Sequence, residues 1–496
     1  MLASLFVIGT MIALILLSVS FFGGEVAEGP LQVSMTLSTL LALSVAYYFG
    51  FRGSVISEAI ASSLSSVMGT IFVILAIGTL IGALYLAGTV PAIVYYGVAL
   101  ISAQFYYVTV FAIALALGMM LGSSLTTVGA VGVAFVGLAA AMDVNPAITA
   151  GAAVAGAVIG DKTAKISDTV ILITAAVGGV SVADHTRVVL RTAIPTIIIS
   201  GLLFLVLGLV GAQNTASAVD PTQVQAAISQ YFNISLWAFL PILAIFVLSM
   251  LHFSAYMSLM LSALLAVLLA TVTQQDLIVS LAADPSLSYW QAALKVGIDT
   301  LAHGFHLQSG VDALDKIFSG GGATGMLTTI WLLLVAAGFG AVVDHTGMLA
   351  KAISPVVKRA TGKMKLVLIT MLSSIGLNLV TADPYVSIVL ASRMFREQYI
   401  KSRLNPVILS TSIADSGTIL SNIIPWNVHG ALFAATLGIG TLVWAPFAFT
   451  AYLTPVITLI LAYVHYLRTE RIAADADPDK VYGPEPAGLP EPAQLA

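Results

Sequence analysis

Cysteine is absent from all 496 residues, which excludes disulfides, thiolate nucleophiles and Cys-ligated metals. Charge is nearly absent too. Lys, Arg, Asp and Glu make up 8% of the chain, against about 25% in an ordinary soluble domain. So little charge cannot cover a water-facing surface, which argues against a soluble helical enzyme. Enzyme motifs are missing. There is no Walker A loop, so ATP does not drive this protein directly, and there is no HExxH or GxSxG. SGGGATG at 319–325 has the glycines of a phosphate loop. It lacks the Lys-Ser/Thr that follows them and reads as a flexible connector. The first apolar run has no basic n-region and no small-residue cleavage site, so it reads as a retained helix rather than a signal peptide. The net charge of −4 says little, because placement matters more than the sum. No nucleic-acid partner is expected.

Apolar runs are what the chain has in abundance. Hydrophobic residues make up 59% and the mean hydropathy is +1.03. Runs of about 20 residues, long enough to cross a bilayer, occur at 4–22, 31–51, 68–88, 191–212, 236–252, 254–273, 326–345 and 441–466. The fold class is an all-α polytopic membrane protein. From about 469 the chain is rich in Pro, Ala and acid and reads as a disordered tail, 469–496.

The chain also resembles itself. GDKTAKISDTV (160–170) lies over ADSGTILSNII (414–424), placing Asp161 on Asp415, Ser167 on Ser421 and Asp168 on Asn422, each 254 positions apart. Gly122 falls on Gly376 at the same separation. Asn-Pro follows in both halves, at 145–146 and 405–406, with six extra residues needed in the second. Upstream, LAGTVPAI (86–93) resembles DHTGMLAK (344–351). The expected units are 1–215 and 236–468, joined by an extracytoplasmic connector, 216–235. Internal repeats of this size point to a secondary transporter.

The positive-inside rule orients the halves. Lys351, Lys358, Arg359, Lys363 and Lys365 form one basic cluster, and Arg393, Arg396, Lys401 and Arg403 another. Both read as cytoplasmic, so 366–392 must enter and leave on one side as a re-entrant hairpin. Its tip carries Asn378, Thr381 and Asp383-Pro384. The matching stretch, about 105–142, has no flanking Lys or Arg and reads as an outward-facing hairpin. Arg52, Arg187, Arg191, Arg468 and Arg471 all fall inside; 213–235 has no basic residue and falls outside. The result is about five spans plus one hairpin per half, with both termini cytoplasmic. An odd span count makes the repeats inverted, with broken helices at the midplane. Lys295 and Lys316 fall on the outer side, in a polar segment (289–318) that reads as surface amphipathic helix, with 53–67 as its counterpart.

Asp161, Lys162, Lys165 and Asp168 interrupt one apolar stretch. Each charge at mid-membrane costs about 2.5–3.5 kcal/mol. On an unbroken helix Lys165 shares a face with both Asp161 and Asp168, so one reading is a structural ion pair bridged by Lys165. The duplicate stretch, Asp415 to Asn422, has no lysine, and Gly417 and Pro425 should break its helix. Broken helices free carbonyls and expose half-helix ends, which bind cations and anions respectively. Carboxylate, hydroxyl and carbonyl oxygens suit a hard cation such as Na⁺, and an Asp facing water can also carry a proton. A carboxylate that accepts either Na⁺ or H⁺ is the minimal exchanger. The candidate Na⁺ ligands are Asp161, Asp168 and Asp415.

Other polar residues carry two readings each. Asn378, Thr381 and Asp383 are ligands or simply a turn. Ser123, Ser124, Thr126 and Thr127, their first-half equivalents, are ligands or small residues that pack helices. Asn427 and His429, in IPWNVHG, fall in the second break. His429 is a group that titrates near neutral pH or a packing histidine. Trp426 walls a cavity or fills it. His185 and His345, both in DHT, lie at predicted helix ends as caps or interfacial groups.

ILAIGTLIGALYLAGTVPAIVYYG (74–97), GDKTAKISDT (160–169), SSIGLNLVTADPYVSIVLASRMF (373–395) and DSGTILSNIIPWNVHGALFAATLG (415–438) resemble the NhaC family of sodium/proton antiporters, within the ion-transporter superfamily. The resemblance spans both halves. It implies inverted repeats, hairpins that meet near the midplane, exchange of Na⁺ for H⁺ as coupling ions, no bound cofactor, and a bacterial-type inner (plasma) membrane. Some relatives move small organic acids or amino acids. The family form is near GDKxSPLSDTTNLA. Here Lys165 stands at the usual proline, and Val170 and Ile171 replace a Thr-Asn pair, removing two oxygen ligands and adding a cation. Lys165 would repel Na⁺ or hold a substrate carboxylate.

The expected function is therefore Na⁺/H⁺ antiport at Asp161, Ser167, Asp168, Asn378, Asp383, Asp415, Ser421 and Asn422. The alternative is Na⁺- or H⁺-coupled transport of a small amino acid or organic acid held by Lys165 or the hairpin tips. A channel or sensor sits poorly with paired broken helices, and no catalytic constellation supports an enzyme. The expected partners are the lipid bilayer, Na⁺, H⁺, on the alternative reading a small carboxylate, and a second copy of the chain as a homodimer.

Overall fold

The computed structural model describes residues 1–214, 221–310, 312–358, 362–466, 470–473 and 475–484. Within them the chain is almost wholly helical. In order the main helices are α1 (Leu2–Phe22), α2 (Pro30–Tyr48), α3 (Gly53–Leu86), α4 (Thr89–Leu100), α5 (Tyr106–Leu121), α6 (Ser124–Ala141), α7 (Pro146–Thr163), α8 (Asp168–Val177) and α9 (Val182–Asn214). They continue as α10 (Leu240–Met250), α11 (Ala255–Thr273), α12 (Tyr289–His303), α13 (Leu327–His345), α14 (Met348–Lys358), α15 (Lys363–Thr381) and α16 (Pro384–Lys401), then α17 (Pro406–Ile423), α18 (Val428–Leu437) and α19 (Phe449–Tyr466). Among the described residues ten helices are long and apolar enough to cross a membrane, or eleven if α17 and α18, bent by 41°, count as one span. This fits the all-α polytopic class: in lipid a helix satisfies every backbone donor and acceptor internally.

Three local expectations change. The stretch 53–67 is the first half of the 34-residue helix α3 rather than a surface helix. The run 441–466 is not one span; a short helix and a 3₁₀ turn end at Phe447 before α19 begins. The glycine segment 319–325 is a packed loop. Ser319–Gly320 pairs with Phe305–His306 as a two-stranded ribbon, and Gly322 N donates to Gly78 O at 2.6 Å. A Cβ on Gly78 would meet Gly322 O and one on Gly321 would meet Gly82 N, so the loop lies directly on α3.

Element boundaries recur along the chain at a separation of 260. The turn between α5 and α6 holds Gly122 at φ 62°, and that between α15 and α16 holds Ala382 at φ 56°. Asn145 and Asn405 each cap the helix that follows with the side-chain oxygen, with Pro next in both cases. Helices α8 and α18 each run ten residues and end on Gly178 and Gly438, at φ 73° and 66°. The register of 254 read from matching letters is thus corrected. At 260, Asp161 lies opposite Ser421, Lys162 opposite Asn422, and Asp415 opposite Ala155. No six-residue insertion is needed, because caps and turns fix where a chain folds and isolated Asp or Ser matches do not.

The two halves interleave. Helix α2 packs on α13, and α3 on α11. One core joins α3 to α7 with α11, α12 and Trp444; the other joins α1 and α2 with α13, α15, α16 and α17. Helices α5 and α7 run in close contact. Gly156 and Gly160 rest against the backbone of Phe111 and Leu115, the small-residue contact that lets helices approach in lipid.

The reading of a disordered tail is corrected for the described part of 469–496. Arg396 Nη1 donates to Val177 O at 2.5 Å, and Nη2 to Tyr482 O at 3.1 Å and Gly483 O at 2.5 Å. Tyr482 is fully buried, and its hydroxyl donates to Leu404 O at 3.0 Å. Charge-assisted bonds to carbonyls and one buried ring hold a segment whose composition alone suggests disorder. The remainder of the expected tail, 469, 474 and 485–496, lies outside the described residues, as does 216–220 of the connector.

Candidate functional site

Each helical hairpin sets its tip against a helix break. In the first half, α5 and α6 turn at Gly122–Ser123, and α7 stops at Thr163. Thr163 turns its hydroxyl back to the carbonyls of Ile159 and Gly160, at 3.0 and 2.8 Å. The helix is interrupted through 164–167, and Ser167 caps α8 by accepting from Val170 N at 3.5 Å. Gly122 fits against Ile166 and Ser167 only because it lacks a Cβ. Ser123 caps the first turn of α6, accepting from Thr126 N and Oγ1 at 3.2 and 3.0 Å, and Thr127 donates to Ser123 O at 2.8 Å.

In the second half Asp383 caps α16, accepting from Tyr385 N and Val386 N at 2.7 and 3.1 Å. Thr381 donates to Asp383 O at 3.1 Å. Asn427 caps α18 and donates to Asn378 Oδ1 at 2.8 Å. Trp426 Nε1 donates to Leu379 O at 2.8 Å. Asn378, Leu379, Trp426 and Asn427 therefore tie the tip to the break, whereas the bonds of Asp383 stay within the hairpin.

Between the two breaks lies a small cavity, lined by Ser124, Asp161, Lys162, Thr169, Ser421 and His429 among others. Asp161 Oδ2 accepts from Ser124 N and Ser124 Oγ, both at 2.9 Å, while its Oδ1 is buried with no hydrogen-bond partner. Lys162 Nζ pairs with Asp415 Oδ1, and both side chains are buried. Asp415 lies in a π-turn of α17, Ala414–Thr418, and its Oδ2 accepts from Thr458 Oγ1 of α19 at 2.5 Å. His429 Nδ1 meets Ser421 Oγ at 2.9 Å, and Ser421 donates to Thr418 O at 2.7 Å. Asn422 is buried, with Nδ2 on Ile419 O at 2.6 Å and Oδ1 unpartnered.

Asp161, Ser124, Ser421 and His429 thus meet at one cavity, with Asp415 behind Lys162. Lys165 does not join them. The helix is broken where the bridging reading needed it continuous, so Lys165 is exposed and forms none of the ion pairs among the described residues. Asp168 is exposed at the first turn of α8, within electrostatic reach of Asp161. Ser167 is buried on Thr169 Oγ1 at 2.9 Å. Sequence reasoning missed the pairing of Lys162 with Asp415, and Thr169 and Thr458 as neighbours. Lys162 was legible as one of four charges. Nothing in its spacing pointed to a partner 253 positions away. His345 ends α13 as its motif suggests, whereas His185 is fully buried rather than interfacial.

A family model described as "Na+/H+ antiporter family" matches residues 2–209 and 175–465. The NhaC Na⁺/H⁺ antiporter of Alkalihalophilus pseudofirmus is 30% identical over 461 residues, covering 93% of this chain and 95% of the relative. The NhaC antiporter of Bacillus subtilis is 30% identical, covering 87% and 92%. A malate-2H⁺/Na⁺-lactate antiporter of Bacillus subtilis is 24% identical, covering 95% and 96%. With matches across both halves and a buried carboxylate site between two broken helices, the chain belongs to the Na⁺/H⁺ antiporter family, among the NhaC secondary antiporters.

Proposed function

We propose that this chain, a Na⁺/H⁺ antiporter by family, works by competition between Na⁺ and the Lys162 ammonium for Asp415. The ion pair of Lys162 with Asp415 carries the reading. A buried pair loses the hydration of both ions and is weak evidence for stability alone. It is well suited to a site that must release one cation to accept another. Na⁺ entering the cavity finds the unpartnered Asp161 Oδ1 and the hydroxyls of Ser124, Thr169 and Ser421. These are hard oxygen donors, as a hard cation requires. Once Na⁺ neutralises the carboxylates, the ammonium beside it has no counter-charge and gives up its proton. The proton returns when Na⁺ leaves. One cation at a time on the carboxylates is what couples the two gradients.

The site joins two inverted repeats, 1–215 and 236–468, with 216–235 as an outer connector, and alternates access by movement of one half on the other. Boundaries recurring at 260, the exchanged packing of α2 with α13 and α3 with α11, and the asymmetric placement of Lys and Arg support this. Both termini face the cytoplasm of a bacterial-type plasma membrane. An organic acid held by Lys165 is not favoured, since Lys165 is exposed and outside the cavity lining.

The test uses purified protein in liposomes with an internal pH dye and an imposed Na⁺ gradient. Proton flux driven by Na⁺ alone, and lost in Asp415→Asn, is expected. Flux that appears only when an amino acid or carboxylic acid is added would overturn the reading.

A further inference from the structure

Resting on that reading, we propose that the C-terminal segment is an autoinhibitory latch. Its last turn, 481–483, bolts the second hairpin to α8 at the cytoplasmic face and slows the parting of the two. The segment has two anchors, and they hold different things. The first, 470–476, grips the link between α16 and α17. Asn405 N donates to Glu470 O at 3.3 Å and Ile472 N to Arg403 O at 3.1 Å. Arg403 Nη2 donates to Ala473 O and Ala476 O at 2.5 and 2.8 Å. All of these partners lie in the second half. The ion pair of Glu470 with Arg191 of α9, at 3.0 Å, is partly exposed, and such pairs hold weakly.

The second anchor crosses to the first half. Arg396 of α16 donates to Val177 O, the last residue of α8, and to Tyr482 O and Gly483 O of the segment. The guanidinium is buried, and the Tyr482 ring lies over it at 5.3 Å, a favourable cation–π distance. Gly178 and Gly179, directly after α8, form the seat, with φ of 73° and 65°. A Cβ on Gly178 would come within 2.9 Å of Tyr482 O, and one on Gly179 within 2.1 Å of Val481 O, so the segment lies backbone to backbone on the turn. The helix end does not itself require this seat. Its counterpart at a separation of 260 is Gly438-Ile439, where Gly438 keeps φ 66° beside open space and Ile439 is not left-handed. The second left-handed glycine, a conformation that favours Gly, therefore goes with the strap.

Helix α8 packs on α16, and Val177, Ile388 and Phe395 share one buried core with Tyr482. Helix α8 starts at the first break and α16 at the hairpin tip. Movement of one half on the other has to shear this seam, and the bonds of Arg396 cross it. Release of the last turn takes the segment's carbonyls from the guanidinium and lets water reach the end of the seam. The first anchor keeps the released turn beside its seat at high effective concentration, so that it closes again.

The chain has no cysteine, so introduced thiols are unique. Ser181 and Asp479 are exposed and lie two and three residues from Gly179 and Tyr482, which touch. Ser181→Cys with Asp479→Cys, joined by a thiol-cleavable bis-maleimide, fixes the latch shut, and Tyr482→Ala opens it. In proteoliposomes the joined protein should carry Na⁺-driven proton flux at least tenfold more slowly, with the rate restored by reductant. Tyr482→Ala should raise the maximal rate at least threefold, with half-saturating Na⁺ within twofold of the parent. A third reading is independent of the cargo. Ser392 is fully buried on α16, and Ser392→Cys should react with a water-soluble maleimide at least fivefold faster when combined with Tyr482→Ala. The latch is overturned by a joined protein that transports at the parent rate, by a folded Tyr482→Ala variant no faster than the parent, or by equal maleimide reaction with and without the Tyr482 ring. Absence of Na⁺-driven proton flux in the unmodified protein would instead overturn the exchange reading, and the maleimide rates alone would then decide the latch.

Discussion

Lys162 and Asp415 form a buried ion pair across the two halves of the chain, with Thr458 donating to the other carboxylate oxygen at 2.5 Å. Lys162 lies in the last turn of α7, just before the first break, and Asp415 in a π-turn of α17. The pair links the two broken helices at the cavity.

Removing one partner leaves the other charge buried and unmatched. Lys162→Ala or Asp415→Ala should each cost about 3–5 kcal/mol, read as an earlier thermal unfolding transition in detergent. The double change Lys162→Met with Asp415→Leu should recover most of that stability while transport stays abolished. A double variant that still transports Na⁺ against protons would mean the pair is purely structural.

The two aspartates at the first break should separate in function. Asp161 is buried with a bare oxygen in the cavity; Asp168 is exposed. Asp161→Asn should abolish Na⁺-driven proton flux, and Asp168→Asn should reduce it by less than tenfold. Dose–response curves for Na⁺ decide this, and the reverse order of severity would remove Asp161 from the site.

Gly122 and Gly376, equated by the letter match, should behave differently. At Gly122 the backbone is left-handed and a Cβ would collide with Ile166 and the Ser167 backbone. Gly376 has open space. Gly122→Ala should lower stability by about 1–3 kcal/mol and displace Ser124 from Asp161, weakening Na⁺ affinity. Gly376→Ala should be within about 0.5 kcal/mol of the parent. Thermal unfolding and Na⁺ titration of the two variants check both halves of this statement.

Arg396 is the clamp on the C-terminal segment. Arg396→Ala leaves the Val177 carbonyl unpaired and frees the Tyr482–Gly483 backbone. Cleavage by added protease within 470–484 should become at least tenfold faster than in the parent. Unchanged cleavage would show that the other contacts, the Tyr482 ring and the bonds of Arg403 to Ala473 O and Ala476 O among them, hold the segment without Arg396.

Much of the fold and part of the site are legible in the amino-acid order. The apolar runs set the class, Asp161 and Ser421 stand out as polar residues in lipid, and Pro425 with Gly417 announces a broken second helix. The first break is harder to read. Residues 164–167 contain no Pro or Gly, and the helix stops there because Thr163 and Ser167 bond the chain ends and the Gly122 turn occupies the space alongside. Reading 161–168 as one helix then gives Lys165 a role that its exposed position does not support. The matching letters fall six residues out of step with the boundaries that recur at 260, because Asp and Ser are common enough to match by accident, while positive-φ turns and Asn-Pro caps cannot slide.

What the sequence determined by itself is the environment and the inventory: a chain with too little charge for water, and a handful of charges too costly to leave unexplained in lipid. Which charge answers which was decided only by the tertiary structure. A lysine next to one aspartate in sequence pairs with another 253 positions away. In a medium that cannot solvate ions, partnership is set by which helix ends the packing brings within reach.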